Sequence, residues 1–376
     1  RAEITKVLGE TFLALGEWAD AETLLAESVA LLEPQLGAHA ERTLATRARW
    51  CECLDRRGDQ RALAERERLL ADLRAHLGPD HELAITTLDG VAHTCRTTGD
   101  LARSRALHVE AVERASRVLG AEHRHTLVAR NNLALTESAL GAHAAAVAID
   151  REVWAIRQRV LGADHPFTLG SQANLALHLW YDRDAPGYPE RLAEAAEHTT
   201  AARRGRERVL GPDHPETLLS GNNLMLIQMD RRDLVAAEAT GRELVARYRQ
   251  KLGEEHEDSL RAMANFVDLL CRTDDRTRWL EAEELAATTL ANARRRYDGS
   301  HWMLGWHLMC AAVPALRLQQ DLDAARELTV EALANFRATL GDRHARTRGA
   351  ARRLVVRGAE FGWTIDSEWQ RLVDAK

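Results

Sequence analysis

Leu161-Gly-Ala-Asp-His-Pro-Phe-Thr-Leu169 and Leu210-Gly-Pro-Asp-His-Pro-Glu-Thr-Leu218 are two copies of one short segment. Weaker copies begin at Leu36, Leu77, Leu119, Leu252, Tyr297 and Leu340. The histidine of the segment falls at His81, His123, His165, His214, His256, His301 and His344, and Ala40 takes its place in the first copy. Counted from position 40, the successive gaps are 41, 42, 42, 49, 42, 45 and 43. A near-constant period in this range is the mark of stacked supersecondary units, each too small to bury its apolar face alone.

Within one period, Leu210 to Leu252, each residue type has a local reason. Gly211 ends one helix, where a left-handed residue is wanted. Asp213 or His214 is placed to cap the next helix, and Pro215 sits in its first turn, where the missing N–H costs nothing. A first helix, A, is predicted from about Pro215 to Met229. Asp230-Arg-Arg-Asp233 breaks it from a second helix, B, running from about Leu234 to Lys251; the earlier breaks carry Gly16, Gly58, Gly99 and Gly141. Small residues recur in the first turn of helix B at Ala21, Ser104, Ala146, Ala195, Ala237, Ala282 and Ala324, with Leu63 the exception. Helix A carries Gly9, Cys51, Ala92, Ala134, Ala176 and Ala312 at another fixed offset. Small side chains let two helix backbones approach closely, so these positions mark the A–B crossing. Leu133, Leu175, Leu224 and Phe266 lie beside it to fill the core. The expected fold is all-α: a right-handed superhelical solenoid of about eight antiparallel helix pairs. The repeats fall near 1–36, 37–77, 78–119, 120–161, 162–210, 211–252, 253–297 and 298–340, and 341–376 forms a basic helix and cap.

The chain has 376 residues, 45% of them apolar, enough for a sizeable core if that core is elongated. Ala, Leu, Arg and Glu dominate and Pro is scarce, which favours helix throughout. The formal net charge of −6 supplies no global field for nucleic acid or anionic membrane, and no apolar run is long enough to span a bilayer. Neither nucleic acid nor membrane is an expected partner. Cys51, Cys53, Cys95, Cys271 and Cys310 are odd in number and scattered, so they read as reduced core thiols of a cytoplasmic protein. The Arg and Ala bias suggests a GC-rich bacterial genome. The chain opens at Arg1 inside a predicted helix, without Met or a signal-like segment, and reads as a piece of a longer protein.

The helix–turn–helix period resembles the tetratricopeptide repeat. The longer spacing and the Leu-Gly-x-x-His-Pro loop look most like the subtype found in kinesin light chain. The resemblance covers residues 1–340; repeat two is its weakest match, and repeats five and seven carry insertions. Such repeats in Arg- and Ala-rich bacterial proteins often look like the C-terminal sensor of signalling ATPases of the STAND type. The resemblance therefore implies an ATPase or effector upstream, whose assembly state shifts when the solenoid binds its ligand.

One helix-A position breaks the apolar pattern. Nine residues after the loop histidine stand Asn132, Asn174, Asn223 and Asn265, and Asn131 and Asn222 precede two of them. Asn is a mediocre helix former, so four copies in register ask for a reason. Stacking aligns them in a row, and each amide offers both donor and acceptor to an extended backbone. In the resembled family the asparagine at this position lines the concave groove and holds the main chain of the bound peptide. The alternative is that these amides bond the neighbouring helix and set the stacking. Gly90 and Cys310 occupy the position in repeats three and eight, and Arg49 in repeat two. His93, Arg96, Trp180, Arg261, Asp268 and Arg272 are the expected groove neighbours, one helical turn away.

Other chemistry is set aside. The loop histidines belong to different repeats, about 10 Å or more apart, too far to share a metal; they read as helix caps. No phosphate-binding Gly-Lys-Ser/Thr loop or nucleophile motif occurs, and no catalytic residue, cofactor or metal is expected within this segment. Tyr181-Asp-Arg-Asp-Ala-Pro-Gly-Tyr-Pro-Glu190 lengthens the turn of repeat five and is either a contact loop or a tolerated insertion. Arg343, Arg346, Arg348, Arg352, Arg353 and Arg357 form a basic stretch, read as a helical face that pairs with another domain rather than with nucleic acid. After it, Asp366 or Ser367 caps a closing helix, with Trp363 and Trp369 sealing the last apolar face. The expected function is recognition of an extended peptide or protein segment, as the sensing part of a larger bacterial regulator. The alternatives are a scaffold for self-association or for docking its own upstream domain, and a peptide-pheromone receptor.

Overall fold

The computed structural model describes residues 1–374 except 184 and 365, and contains 18 α-helices and no strand among them. Asp184 of the expected contact loop and Ile365 of the closing segment lie outside the described residues. The chain forms two compact units. Unit 1, residues 1–186, holds α1 (Ala2–Leu15), α2 (Trp18–Leu36), α3 (Glu41–Arg56), α4 (Ala62–His76), α5 (Glu82–Thr97), α6 (Leu101–Val118), α7 (Arg124–Ala139), α8 (His143–Leu161) and α9 (Pro166–Tyr181). Unit 2, residues 187–376, holds α10 (Tyr188–Leu210), α11 (Pro215–Asp230), α12 (Leu234–Leu252), α13 (Glu257–Arg272), α14 (Arg276–Arg296), α15 (Trp302–Leu318), α16 (Leu322–Leu340), α17 (Ala345–Phe361) and α18 (Ser367–Asp374). Odd-numbered helices are A and even-numbered ones B. Within each unit, each helix packs on the next in sequence, and neighbouring A helices also touch, as α3 with α5 and α11 with α13.

The recurring segment is a cap and a lock. At α5, α7, α9, α11, α13, α15 and α17 the loop histidine is the N-cap, and its Nδ1 accepts the backbone N–H two residues on, at 3.2–3.4 Å. The cap of α11 is therefore His214, not Asp213. Ala40 at the head of α3 has no such bond. The threonine three residues after the cap closes the loop: Thr43, Thr126, Thr217 and Thr347 each donate Oγ1 to the carbonyl of the loop glycine, at 2.7–2.9 Å. The sequence reading assigned this threonine no role.

Gly211 has φ 90° and ψ 162°, an extended conformation of mirror hand that only glycine adopts freely, rather than the left-handed helical one. The A–B turns do use the left-handed conformation, and where other repeats place glycine, repeat six holds Arg232 at φ 64°. A Cβ in that conformation costs about 1–2 kcal/mol, partly offset by glycine's greater freedom when unfolded. Arg232→Gly is expected to stabilise the protein by about 0.5–1 kcal/mol, read as a higher urea midpoint. An unchanged or lower midpoint counts against a strained turn.

The small residues at the A–B crossing are buried, with two register slips. Ala62 rather than Leu63 is the buried small residue of α4, and Ala325 rather than Ala324 that of α16. The turn before α16 takes positive φ at both Gln319 and Asp321, which shifts the helix by one residue. In unit 2 a continuous apolar cluster runs from Leu218 to Leu372 and includes Phe266 and Trp369, and Trp363 packs against it. Asp366 Oδ1 caps α18 by accepting from the N–H of Glu368 at 2.8 Å. Cys51, Cys53, Cys95 and Cys271 are buried free thiols and Cys310 is half-buried. Of the expected contact loop, Tyr181 ends α9, and Tyr188 and Pro189 already belong to α10. No described helix is long and apolar enough to cross a membrane.

Candidate functional site

The A-helix row carries the asparagines, and their side chains are half-buried except for that of Asn222, which is buried. Three amides reach one repeat back. Asn132 on α7 donates Nδ2–H to Asp89 Oδ2 on α5 at 2.8 Å. Asn174 on α9 donates to Asn131 Oδ1 on α7 at 3.0 Å. Asn265 on α13 donates to Asn222 Oδ1 on α11, also at 3.0 Å. The acceptor always stands 43 residues upstream. The Asn-Asn doublets thus have a structural logic: the second amide donates backward, and the first accepts from the next repeat. Each such bond uses one of the two N–H groups of the donating amide, and the side-chain Oδ1 atoms of Asn132, Asn174 and Asn265 accept no bond among the described residues. Asn223 makes no side-chain hydrogen bond among the described residues.

Gly90, where the row lapses, is filled by another residue. A Cβ built there would stand 2.3 Å from Arg66 Nη1, so the absence of a side chain admits the Arg66 guanidinium from α4. Arg66 pairs with Asp55, which also accepts from Thr94 Oγ1 at 2.8 Å. Nothing in the local spacing marks Arg66, because its place depends on how α4 packs on α5. Asp89 went unmarked for the same reason; its other oxygen lies 2.9 Å from Nδ1 of the buried His108 on α6.

Two cavities on A-helix surfaces gather part of the expected set. In unit 1, a cavity of about 420 Å³ between α3, α5 and α7 is lined by Asp55, Arg66, Asp89, His93 and Asn132, among others. Burial, then the neighbouring Arg96 charge, lowers the pKa of His93, and a guanidinium nitrogen of Arg96 lies 3.1 Å from His93 Nδ1. In unit 2, a cavity of about 390 Å³ between α13, α15 and α17 is lined by Asn265, Asp268 and Arg272, together with Trp306, Arg346 and Arg353. Arg261 is held by Asp258 at 2.6 Å and does not line it. Trp180 is 8% exposed, so its indole is mostly packed inside rather than presented at the surface.

Buried charge is concentrated near the A–B contacts. Asp150 on α8 is fully buried, and burial raises its pKa although His178 stands 2.6 Å away. Arg157 and Arg206, both buried, occupy equivalent places and bond Ser171 and Ser220 of the following A helix, each at 2.6 Å. Arg157 and Arg206 thus find partners across helix pairs, the condition under which polar groups are tolerated inside, whereas Asp150 Oδ1 has no hydrogen-bond partner among the described residues.

A tetratricopeptide-repeat family model matches residues 85–125 and 126–167. None of the curated proteins matches the chain. Among solved structures it is similar to the apo form of RapI, with a TM-score of 0.67 at 9% identity, covering 99% of this chain and 96% of that one. The apo form of the quorum sensor NprR from B. thuringiensis gives 0.63 at 12% identity, with coverages of 99% and 96%. BtubC (BKLC) from P. vanneervenii gives 0.52 at 19% identity, covering 63% of this chain and 91% of its own. At these identities the likeness is one of fold. The in-phase loops and stacked helix pairs agree with the two matched segments: residues 85–167 match the tetratricopeptide-repeat model, and the described residues form a tetratricopeptide-like helical-repeat fold.

Proposed function

We propose that the A-helix surface binds an extended peptide or protein segment and that the chain is the sensing part of a larger regulator. The observation that carries this reading is the Asn row: half-buried amides in register that keep unused acceptors at the surface. An extended backbone presents alternating N–H and C=O groups, and in-register amides match it without reading its sequence. Cavities beside Asn132 and Asn265 supply room for side chains. The fold-level likeness to RapI and to NprR, the latter described as a quorum sensor, supports a recognition role by analogy. The Asn–Asn and Asn–Asp bonds favour a second role in the same residues, fixing the stagger between repeats.

The test is selection of binders from a displayed library of random peptides, followed by titration against wild type and Asn132→Ala plus Asn174→Ala, both within unit 1. Each main-chain hydrogen bond contributes about 1 kcal/mol, so the double variant is expected to bind about tenfold or more weakly with its helical circular dichroism retained. Full affinity in that variant overturns the reading. Light scattering separates the competing scaffold role, which predicts concentration-dependent self-association and no selected peptide.

A further inference from the structure

Helix α1 carries an apolar stripe that no described residue covers. Ile4, Leu8 and Leu15 are 68%, 46% and 71% exposed, Thr11 is exposed, and Val7 flanks them at 57%. Ile4, Leu8, Thr11 and Leu15 follow one another at four, three and four residues, the heptad period that puts side chains on one seam of a helix. The same positions are closed in the A helices that follow. Thr46, Thr87, Ala129 and Ser171, in register with Ile4, are at most 2% exposed, and Cys53 and Thr136, in register with Thr11, are fully buried. Each of those A helices packs against the B helix before it, as α3 on α2 and α7 on α6, whereas α1 packs on α2 and α3, which leave the stripe open. Unit 2 finishes its last A helix differently. There α18 packs on α17, buries Trp369 and Leu372, and turns Glu368, Gln370, Arg371 and Asp374 outward. That is the polar outer face a terminal repeat needs, and α1 lacks it. The charges bordering the α1 stripe are paired within the chain: Arg1 with Glu27, Glu3 with Arg42 and Lys6 with Glu10.

We propose that this stripe is a dimerisation surface, on which a second copy of the chain lays its own α1, antiparallel about a two-fold axis. The polar outer face of α18 offers nothing apolar to it, so head-to-tail stacking of copies is ruled out and the self-complementary contact remains. A two-fold axis between residues 9 and 10 brings Ile4 against the partner's Leu15 and Leu8 against the partner's Thr11. Val7 and Ala14 border this seam, and the charges beside it are already paired within each copy, so no like charges oppose. The antiparallel sense also sets the N-terminus of each helix beside the C-terminus of the other. The apolar face measures about 400 Å², the size at which a patch on a monomer marks an interaction site. Two such faces with their rims bury about 1,000 Å² in all, the low end of specific interfaces, so the dimer is weak, with a Kd of about 10–100 μM. The asparagine row stands on α7, α9, α11 and α13 and shares no residue with the seam, so pairing through α1 and capture of a peptide are separate properties.

The experiment is sedimentation equilibrium of the 376-residue chain over concentrations that bracket this Kd, from about 1 to about 300 μM. The weight-average mass is expected to rise from that of one chain toward that of two and to stop there. Ile4→Glu plus Leu15→Glu, both at sites mostly exposed within the chain, is expected to weaken the dimer about a hundredfold with helical circular dichroism unchanged. Ile4→Lys plus Leu15→Glu sets opposite charges across the two-fold axis and is expected to keep the Kd within about tenfold of wild type. In a parallel pair each of these charges would face its like, so loss of the dimer in this variant overturns the antiparallel seam. Val235→Glu on α12, 84% exposed and away from the stripe, is expected to change nothing; an equal loss there shows unspecific association and overturns the proposal. A mass that stays at one chain throughout overturns the dimer and leaves the stripe to a segment preceding Arg1. Growth beyond two copies, or a dimer indifferent to Ile4→Glu plus Leu15→Glu, overturns it as well. The groove is judged apart: Ile4→Glu plus Leu15→Glu is expected to bind selected peptides as wild type does, whatever becomes of the dimer.

Discussion

Phe266→Ala is expected to destabilise the protein by about 4 kcal/mol, the range for emptying a well-packed aromatic site. Phe266 is 3% exposed and lies against Gly241 of α12: a Cβ on Gly241 would stand 2.5 Å from its ring and 2.8 Å from Met225 Sδ. The ring fills the space that the glycine leaves. Gly241→Ala alone is therefore expected to cost about 1–3 kcal/mol by overpacking, despite alanine's better helix propensity. In the Phe266→Ala background the overlap with the ring is gone, and Gly241→Ala is expected to be neutral or stabilising. Urea denaturation of the four proteins in the cycle measures this coupling. Additive costs would show that Gly241 and Phe266 do not share one space, contrary to the contact geometry.

The second large effect depends on pH. His307 is 1% exposed, and neither ring nitrogen has a hydrogen-bond partner among the described residues. It packs beside the rings of Tyr297 and Trp306. Burial pushes its pKa down to about 4. An unfolded histidine titrates near 6.5, so between about 6.5 and about 4 the unfolded chain binds a proton that the folded chain refuses. Stability is full above pH 6.5 and falls as the pH drops through this window, by about 3 kcal/mol in all. His307→Phe keeps the ring, removes both unpaired nitrogens and removes this proton uptake. It is expected to stabilise the protein modestly at pH 8 and by about 2 kcal/mol more at pH 5, measured by urea denaturation. Parallel pH profiles for wild type and variant would refute the assignment.

His307 also shows why some features escaped the sequence. Its register position is held by Thr46, Thr87, Ala129, Ser171, Ser220 and Ala262 in other repeats, all buried. A histidine there gives no local sign that it is unpaired, because pairing depends on what the facing helix presents. Arg66 is a similar case. The gap at Gly90 was visible, but the side chain that enters it comes from helix B of the preceding repeat. Trp180, expected at the groove, is largely buried. One-turn spacing places a residue on a helix face but does not say how much of that face the neighbours cover.

The sequence by itself determined where each helix starts and stops. The signals are short-range: a histidine that caps two residues on and a glycine at positive φ. Their hydrogen bonds lie within one loop, so the lettering is sufficient. It also determined that asparagines recur in register. Only the tertiary structure decided what those asparagines touch, since Asn132, Asn174 and Asn265 find their partners 43 residues away across the stacking of A helices. The same holds for Arg346 and Arg353. In the chain they are two charges in a basic run; in the fold they line a cavity with Trp306 and Phe336, side chains that packing alone brings to them. Capping energies act within a turn, whereas the balance of charge in a cavity depends on every helix that borders it.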